Sequence, residues 1–287
     1  EAGKSLLKEF LSDKDVEKMA GIFGISGVAN VLGAIKIAKH YRLTSRDNIV
    51  TIATDNMDRY HSVMENMTRT YGKLDRGEAK QRFESIVFGA GTDWIFAPMV
   101  DIARDPRWGR IVEGSGEDPY LGSVLAAARV RGFQGDDLAA PDTLLATAKH
   151  FVAYGAAEGG RDYDVADISE RTLHEVYLPP FKAAVDAGAQ SVMASFNEIG
   201  GIPMHAHRGL IQDLLRGQWG WDGLLVSDYT GVMELMPHGI AADREEAGRR
   251  GLHAGVDVDM VSAIYLNDLP AAVEAGRVPM SEVDAAV

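Results

Sequence analysis

From residue 94 onward, short apolar runs alternate with amphipathic stretches. The runs "WIFAPMVDI" (94–102), "TLLATAKHFVAY" (143–154), "AQSVMASFNEI" (189–199), "DGLLVSDYT" (222–230) and "VDVDMV" (256–261) each predict a strand. Between them, "PYLGSVLAAARVRGFQG" (119–135), "SERTLHEVYLPPFKAAVDAG" (169–188), "RGLIQDLLRGQWG" (208–220) and "EEAGRRGLHAG" (245–255) predict helices. The first should stop at Gly132 or Gly135, and the second is interrupted by Pro179 and Pro180. Ser169 is a good N-cap for it. "NDLPAAVEAGRVPMSEVDAAV" (267–287) closes the chain with helices. This rhythm is that of parallel βα units. A strand spacing of roughly 30–50 residues fits an α/β fold of the (β/α)8, TIM-like barrel type, whose function gathers at the C-terminal strand ends.

The first 93 residues read differently. "GIFGISGVANVLGAIKIAKHY" (21–41) is a Gly-punctuated turn followed by a helix, and "NIVTIATDNMDRY" (48–60) is a strand running into an acidic loop. "SVMENMTRTYGKLDRGEAKQRFESIVFGAG" (62–91) reads as a charged helical pair with a turn near Gly72. The expected organisation is an N-terminal segment, 1–93, and a barrel domain, 94–287, with no flexible linker and no internal repeat.

Composition narrows the function classes. The net charge of −13 argues against nucleic acid and anionic membranes as partners. With no cysteine, disulfides, thiolate metal sites and Cys nucleophiles are excluded. No apolar run is long enough to span a membrane, and "EAGKSLLKEFL" has no apolar core of a signal peptide, which tilts the expected location toward the cytoplasm.

Polar groups fall at successive predicted strand ends: Asp101 and Arg104, Lys149 and His150, Asn197 and Glu198, Asp228, and Asp257 with Asp259. Any one alone reads as a capped turn, a surface ion pair or a satisfied histidine. Together, in a barrel, they converge on one pocket. Asp228 is the sharpest, because an apolar strand gains nothing by ending on a carboxylate unless it opens into solvent or a site. Lys and His donors beside carboxylates suit a hydroxyl-rich ligand, and the His/carboxylate spacing of a metal site is missing.

"IARDPRWGRIVEGSGEDPYL" (102–121) is the most specific stretch. With "FAPMVDIARDPRWGR", "KHFVAYGAAEGGRDY", "VMASFNEIGGIP", "LLRGQWGWDGLLVSDY" and "AGVDVDM" in this order, residues 94–287 resemble the N-terminal barrel of glycoside hydrolase family 3, the bacterial β-glucosidase type. The resemblance implies retaining hydrolysis of a β-glucoside or oligosaccharide, with Asp228 as nucleophile forming a covalent glycosyl-enzyme. It assigns Lys149, His150 and Arg110 to the sugar hydroxyls and Phe196 to the pocket wall. Arg161 and Tyr163 line the following loop. Asp101, Asp105, Glu117 and Asp118 read as mainly structural. No cofactor and no metal are implied.

Three features depart from the family. Residues 1–93 lack its early sugar-gripping Asp segment and instead resemble a C-terminal fragment of a fold-type II pyridoxal-phosphate enzyme, so the chain reads as a chimera. The Schiff-base lysine of those enzymes would lie upstream, so that cofactor is not expected. "NIVTIATD" (48–55) is the best candidate to complete the barrel sheet, which would bring Asp55 to the pocket in place of the lost Asp; the alternative is a separate lobe in which Asp55 caps a turn. Second, the acid/base Glu of two-domain members belongs to a following domain that the sequence does not include. Third, the Asp-His pair of single-domain N-acetylglucosaminidases is absent from "VAYGAAEGGRDYDVADIS" (152–169). Glu158 is the nearest candidate for the second carboxyl. Weak activity is therefore expected, since loss of a general acid removes about 10²- to 10⁴-fold. Competing readings are a catalytically idle carbohydrate-binding barrel and a different hydrolase or transferase activity gained by the chimera. No G-x-S-x-G elbow supports an esterase. Self-association that buries the seam, giving a homo-oligomer, is a further expectation.

Overall fold

The computed structural model describes residues 93–140 and 143–287. The chain divides into two units, Glu1–Thr92 and Asp93–Val287, and the described residues make up the second. Its centre is a parallel sheet of β1 (Trp94–Ile95), β2 (Leu145–Phe151), β3 (Ser191–Ala194) and β6 (Leu224–Val226), hydrogen-bonded in that order. Val192 of β3 lies opposite Ala148 on one side and Leu225 on the other, and the β2–β3 register shifts once, between Lys149 and Phe151. A short antiparallel hairpin, β4 (Glu198–Ile199) and β5 (Ile202–Pro203), stands apart, turning through Gly200 and Gly201 at φ of 60° and 79°. Two successive left-handed residues suit this tight turn, and glycine supplies them without a Cβ clash.

The central strands are buried on both faces, because helices return across the sheet. This is why β2, β3 and β6 read as continuous apolar runs rather than alternating ones. α1 (Pro119–Gln134) starts on Asp118, whose side chain accepts the Leu121 N–H at 2.7 Å, with Pro119 in the first turn. It stops at Gly135, at φ 59°. Its buried residues, Gly122, Ala126, Val130 and Gln134, recur every four positions. α1 packs on α2 (Pro179–Asp186) through Gly122, where any side chain would meet Ile102 and Pro180. Phe151 at the end of β2 meets Phe181 of α2 edge-on at 5.3 Å; truncating so buried a ring to Ala costs about 3–5 kcal/mol.

The structure departs from the sequence pattern in four places. The first strand is a ladder of only two residues, because Pro98 has no N–H to give; its carbonyl still accepts from Lys149 at 3.1 Å, and Val100 donates back to Lys149 at 2.8 Å. The segment before α2 is a π-wound turn, Leu173–Tyr177, in which the Leu178 N–H reaches Leu173 O at 2.9 Å. Pro179 and Pro180 follow directly and cannot continue an α-helical ladder. The helix α3 (Gly209–Gln218) is π-wound as well. Finally, "VDVDMV" contributes one bridge, Val258 to Val226, rather than a strand. Asp259 ends it by accepting Ile264 and Tyr265 N–H groups, which pulls the chain into a turn.

The sheet among the described residues is open. A closed barrel, and insertion of residues 48–55 with Asp55, fall on residues outside those described. No helix among the described residues is long and apolar enough to cross a membrane.

Candidate active site

Asp101 and Arg104 follow β1, Lys149 and His150 lie near the C-terminal end of β2, Asn197 and Glu198 follow β3, and Asp228 follows β6, as adjacent parallel strands allow, whereas Asp257 pairs with Arg216 at 2.6 Å and accepts the Leu225 N–H at 2.7 Å. Asp228 lies two residues past the end of β6 and is 9% exposed. Its Oδ1 accepts the Tyr229 N–H at 2.7 Å. Its Oδ2 is buried and has no hydrogen-bond partner. The turn around it is tied down on both sides: the Ser227 hydroxyl donates to Asp228 O at 2.9 Å and accepts from Met260 N at 2.8 Å. Burial raises the Asp228 carboxyl above its ordinary value, opposed by the Tyr229 N–H and by the charges of Lys149 and Arg110.

His150 and Lys149 come from the end of β2, where the register with β3 shifts between Lys149 and Phe151. His150 Nε2 lies 3.5 Å from Asp228 Oδ2. On its other side, Nδ1 lies 2.8 Å from Asp101 Oδ2, and the His150 backbone N–H donates to the same oxygen at 2.9 Å. Burial, reinforced by Arg110 and Lys149, holds the imidazole well below its usual value, so it is neutral. Burial pushes Asp101 up, against the hydrogen bond from the His150 amide. Lys149 is lowered by burial first and by Arg110 next.

Arg110, from the loop after β1, forks onto Glu113 with bonds of 2.6 and 2.9 Å. Its guanidinium lies 5.4 Å from the centre of the Tyr154 ring. Burial alone would lower its pKa, but the Glu113 carboxylate raises it further. Trp108 meets Tyr154 edge-on at 5.2 Å and donates to Asp162 at 3.0 Å. Phe196, after β3, forms the wall with Tyr163, their centroids 4.1 Å apart. Asp228, His150, Lys149 and Arg110 thus form one electrostatic cluster, with Phe196, Tyr154 and Tyr163 as an aromatic border.

Two candidates fall elsewhere. Glu158 is exposed on a short turn and lines a separate depression with Arg104, Asp105, Arg107 and Tyr177. No hydrogen bond or ion pair among the described residues joins it to Asp228. The cause is Gly159 and Gly160, both at positive φ, which turn the chain against Arg107 and Trp108 on the outer side of the loop. Arg161 is exposed and pairs with Asp164 at 2.6 Å.

Asp101, placed at a strand end and read as mainly structural, holds His150. The structure also brings in two residues that the sequence analysis did not name, His205 and Glu234. His205 is buried, and its Nε2 accepts the Asp228 backbone N–H at 3.0 Å. Glu234 is half-buried, accepts from the Thr230 hydroxyl at 3.2 Å, and is raised by burial and by the charge of Asp228. His205 carried no local signal, since its partner lies 23 residues on. Glu234 had one, lying only six residues after Asp228. Among the described residues, no three His, Asp or Glu side chains are grouped to hold a metal.

Residues 80–287 match the glycosyl hydrolase family 3 N terminal domain. A periplasmic beta-glucosidase of Salmonella typhimurium is 42% identical over 216 residues, 75% of this chain and 27% of that protein. Beta-D-xylosidase 3 of Arabidopsis thaliana is 33% identical over 282 residues, 94% of this chain and 34% of that protein. Among solved structures, a beta-glucosidase from Listeria innocua in complex with glucose superposes with a TM-score of 0.66 at 41% identity, over 69% of this chain and 28% of that one. The chain therefore spans about a quarter to a third of the length of these relatives.

Proposed function

Because the chain belongs to glycosyl hydrolase family 3, we propose that residues 93–287 bind the sugar of a β-glucoside, or of a related β-xyloside, and attack it with Asp228. The observation that carries this is the Asp228 carboxyl: one oxygen is held by the Tyr229 N–H, and the other is buried, without a partner, beside His150. A carboxylate desolvated in this way is an available nucleophile. Its oxygen forms a bond to the anomeric carbon while the bond to the aglycone oxygen breaks, and the electron pair leaves with that oxygen, which takes up a proton. Water then attacks the anomeric carbon, releases Asp228 and restores the original anomer. Lys149, His150 and Arg110 hold the hydroxyls of the sugar, and Phe196 with Tyr163 stacks against its apolar face. In this reading the parallel sheet is part of a closed (β/α)8-type barrel.

Glu234 is a better second carboxyl than Glu158. It shares Asp228's surroundings, and burial favours its protonated form. Residues 1–93 are a separate question. The family match begins at residue 80, inside that segment. The Arabidopsis match, across 94% of this chain, weighs against a foreign origin for all of it. Asp55 as a sugar ligand remains a proposal from sequence.

Incubation with a 2-deoxy-2-fluoro aryl β-glucoside, followed by peptide mapping, tests the assignment. The label is expected on the peptide containing Asp228; label on another carboxylate, or turnover by Asp228→Ala, overturns it. A series of aryl glucosides with leaving groups of rising pKa then asks whether a proton donor lies within these 287 residues. A steep dependence that Glu234→Gln leaves unchanged would remove Glu234 from that role.

A further inference from the structure

The buried face of the site holds three groups in a line: Asp101 Oδ2, 2.8 Å from His150 Nδ1, and His150 Nε2, 3.5 Å from Asp228 Oδ2. The imidazole is neutral, so it carries one proton, and the question is on which nitrogen. Asp101 decides it. Its Oδ2 already accepts the His150 backbone N–H at 2.9 Å, so that atom is an acceptor and faces the ring as one. A proton taken up by Asp101 has the unpartnered Oδ1 to occupy and leaves this geometry unchanged. The ring proton therefore sits on Nδ1, and Nε2 presents a lone pair. Facing it is Asp228 Oδ2, also an acceptor and also without a partner. Two acceptors thus face each other 3.5 Å apart, an arrangement that a ligand proton relieves.

We propose that Asp101 is a positioning residue that fixes His150 as the Nδ1–H tautomer, making the gap between His150 Nε2 and Asp228 Oδ2 a slot for one ligand hydroxyl acting as donor. The remaining charged groups facing the ring, Arg110 and Lys149, are cations and oppose a second proton on it. Tyr154, edge-on to the ring at 5.1 Å, brings no charge. The ligand this slot selects has an O–H at that position. A fluorine or methyl ether there can only accept, and it would meet two acceptors. The ligand half of the inference rests on the proposed glycoside reading, and the tautomer half does not.

Nitrogen NMR of the whole chain, labelled with 15N in its histidine rings, separates the two. The His150 signals are assigned by their loss in His150→Gln. Between pH 6 and 8, Nδ1 should show the shift of a protonated ring nitrogen and Nε2 that of an unprotonated one. Asp101→Asn should keep this pattern, because the amide oxygen must still face the His150 N–H. Asp101→Ala, checked for folding by near-ultraviolet circular dichroism, should lose it in favour of Nε2–H, which Asp228 can then accept. A protonated Nε2 in the unsubstituted chain overturns the proposal. So does an Nδ1–H pattern that survives in a folded Asp101→Ala variant. If that variant does not fold, the unsubstituted chain and Asp101→Asn still decide the tautomer. Saturating glucose should move the Nε2 signal upfield and leave Nδ1 in place. Glucose that binds without moving Nε2 overturns the hydroxyl slot. Glucose that does not bind at all counts against the glycoside reading and leaves the tautomer standing.

Discussion

His205 Nε2 accepts the backbone N–H of Asp228 at 3.0 Å, so a histidine from the loop after β5 holds the main chain of the proposed nucleophile. Room for the ring comes from Gly231, three residues after Asp228. A Cβ there would overlap the His205 imidazole. Gly231→Ala should displace the ring, release the Asp228 amide and destabilise the fold by roughly 1–3 kcal/mol. Turnover should fall at least about tenfold, because small misplacements of a reacting group are costly. Urea unfolding and kcat on an aryl glucoside check both. An unchanged kcat would mean that the amide contact does not position Asp228.

The same histidine sets an acid limit on stability. Burial, aided by His238, pushes His205 down to about 3, below the 6.5 of the unfolded chain. The unfolded state then binds the proton more readily, so this contribution is complete above pH 6.5 and is lost as pH falls toward 3. A shift of this size corresponds to on the order of 5 kcal/mol. Asp101 has the opposite sign. It is pushed up to about 7 from 3.8, so its contribution is present at low pH and lost as pH rises through that window. His205→Gln keeps an oxygen for the Asp228 N–H but removes the titration. Its stability, measured by urea unfolding at a series of pH values, should fall less steeply below pH 6.5 than that of the unsubstituted chain. Equal slopes would show that the ring is not held neutral by the fold.

The sequence showed the strands and most of the cluster because both are local. β2, β3 and β6 are apolar runs, and Asp228, Lys149 and His150 sit where those runs end. Arg110 and Phe196 came through resemblance, and the structure brings them to the same cluster. What stayed hidden depends on pairing across the chain. Asp101 serves His150 from 49 residues away, and nothing in "MVDI" distinguishes it from a strand-end cap. Glu158 looked suitable because it follows the Lys-His strand. Gly159 and Gly160 then turn the loop so that it faces Arg104 and Tyr177 instead. The shortness of the first strand follows from Pro98, a residue visible in the sequence, whereas the π-wound turn is a compromise of packing that no propensity encodes.

Asp228 should be more useful to activity than to stability. It buries a carboxyl with one oxygen unpartnered, and burial raises its pKa, so the charged form is disfavoured in the folded state. Asp228→Asn keeps an oxygen for the Tyr229 N–H and turns an amide donor toward His150 Nε2. Thermal stability at pH 7 should rise, by on the order of 1 kcal/mol, while kcat/KM falls about 10³-fold or more. Calorimetry and aryl glucoside kinetics on the same preparation check this. A lower melting temperature in a folded variant would show that the carboxylate supports the fold.

Arg110 should act through a position that Glu113 sets. The guanidinium forks onto Glu113 at 2.6 and 2.9 Å and lies over Tyr154, so its orientation is fixed from two sides. Lysine keeps the charge and loses both the fork and the stacking. Arg110→Lys should raise KM for an aryl glucoside about tenfold and change kcat less, because in the proposed reading the residue would hold hydroxyls in ground and transition states alike. Glu113→Gln leaves the arginine charge with one neutral partner and should raise KM by a similar factor through misorientation. If Glu113 works only by orienting Arg110, the two effects overlap, and the double variant should have nearly the KM of Arg110→Lys alone. A double variant whose KM rises by the product of the single effects would show that the two residues act independently, and that Glu113 meets the ligand itself.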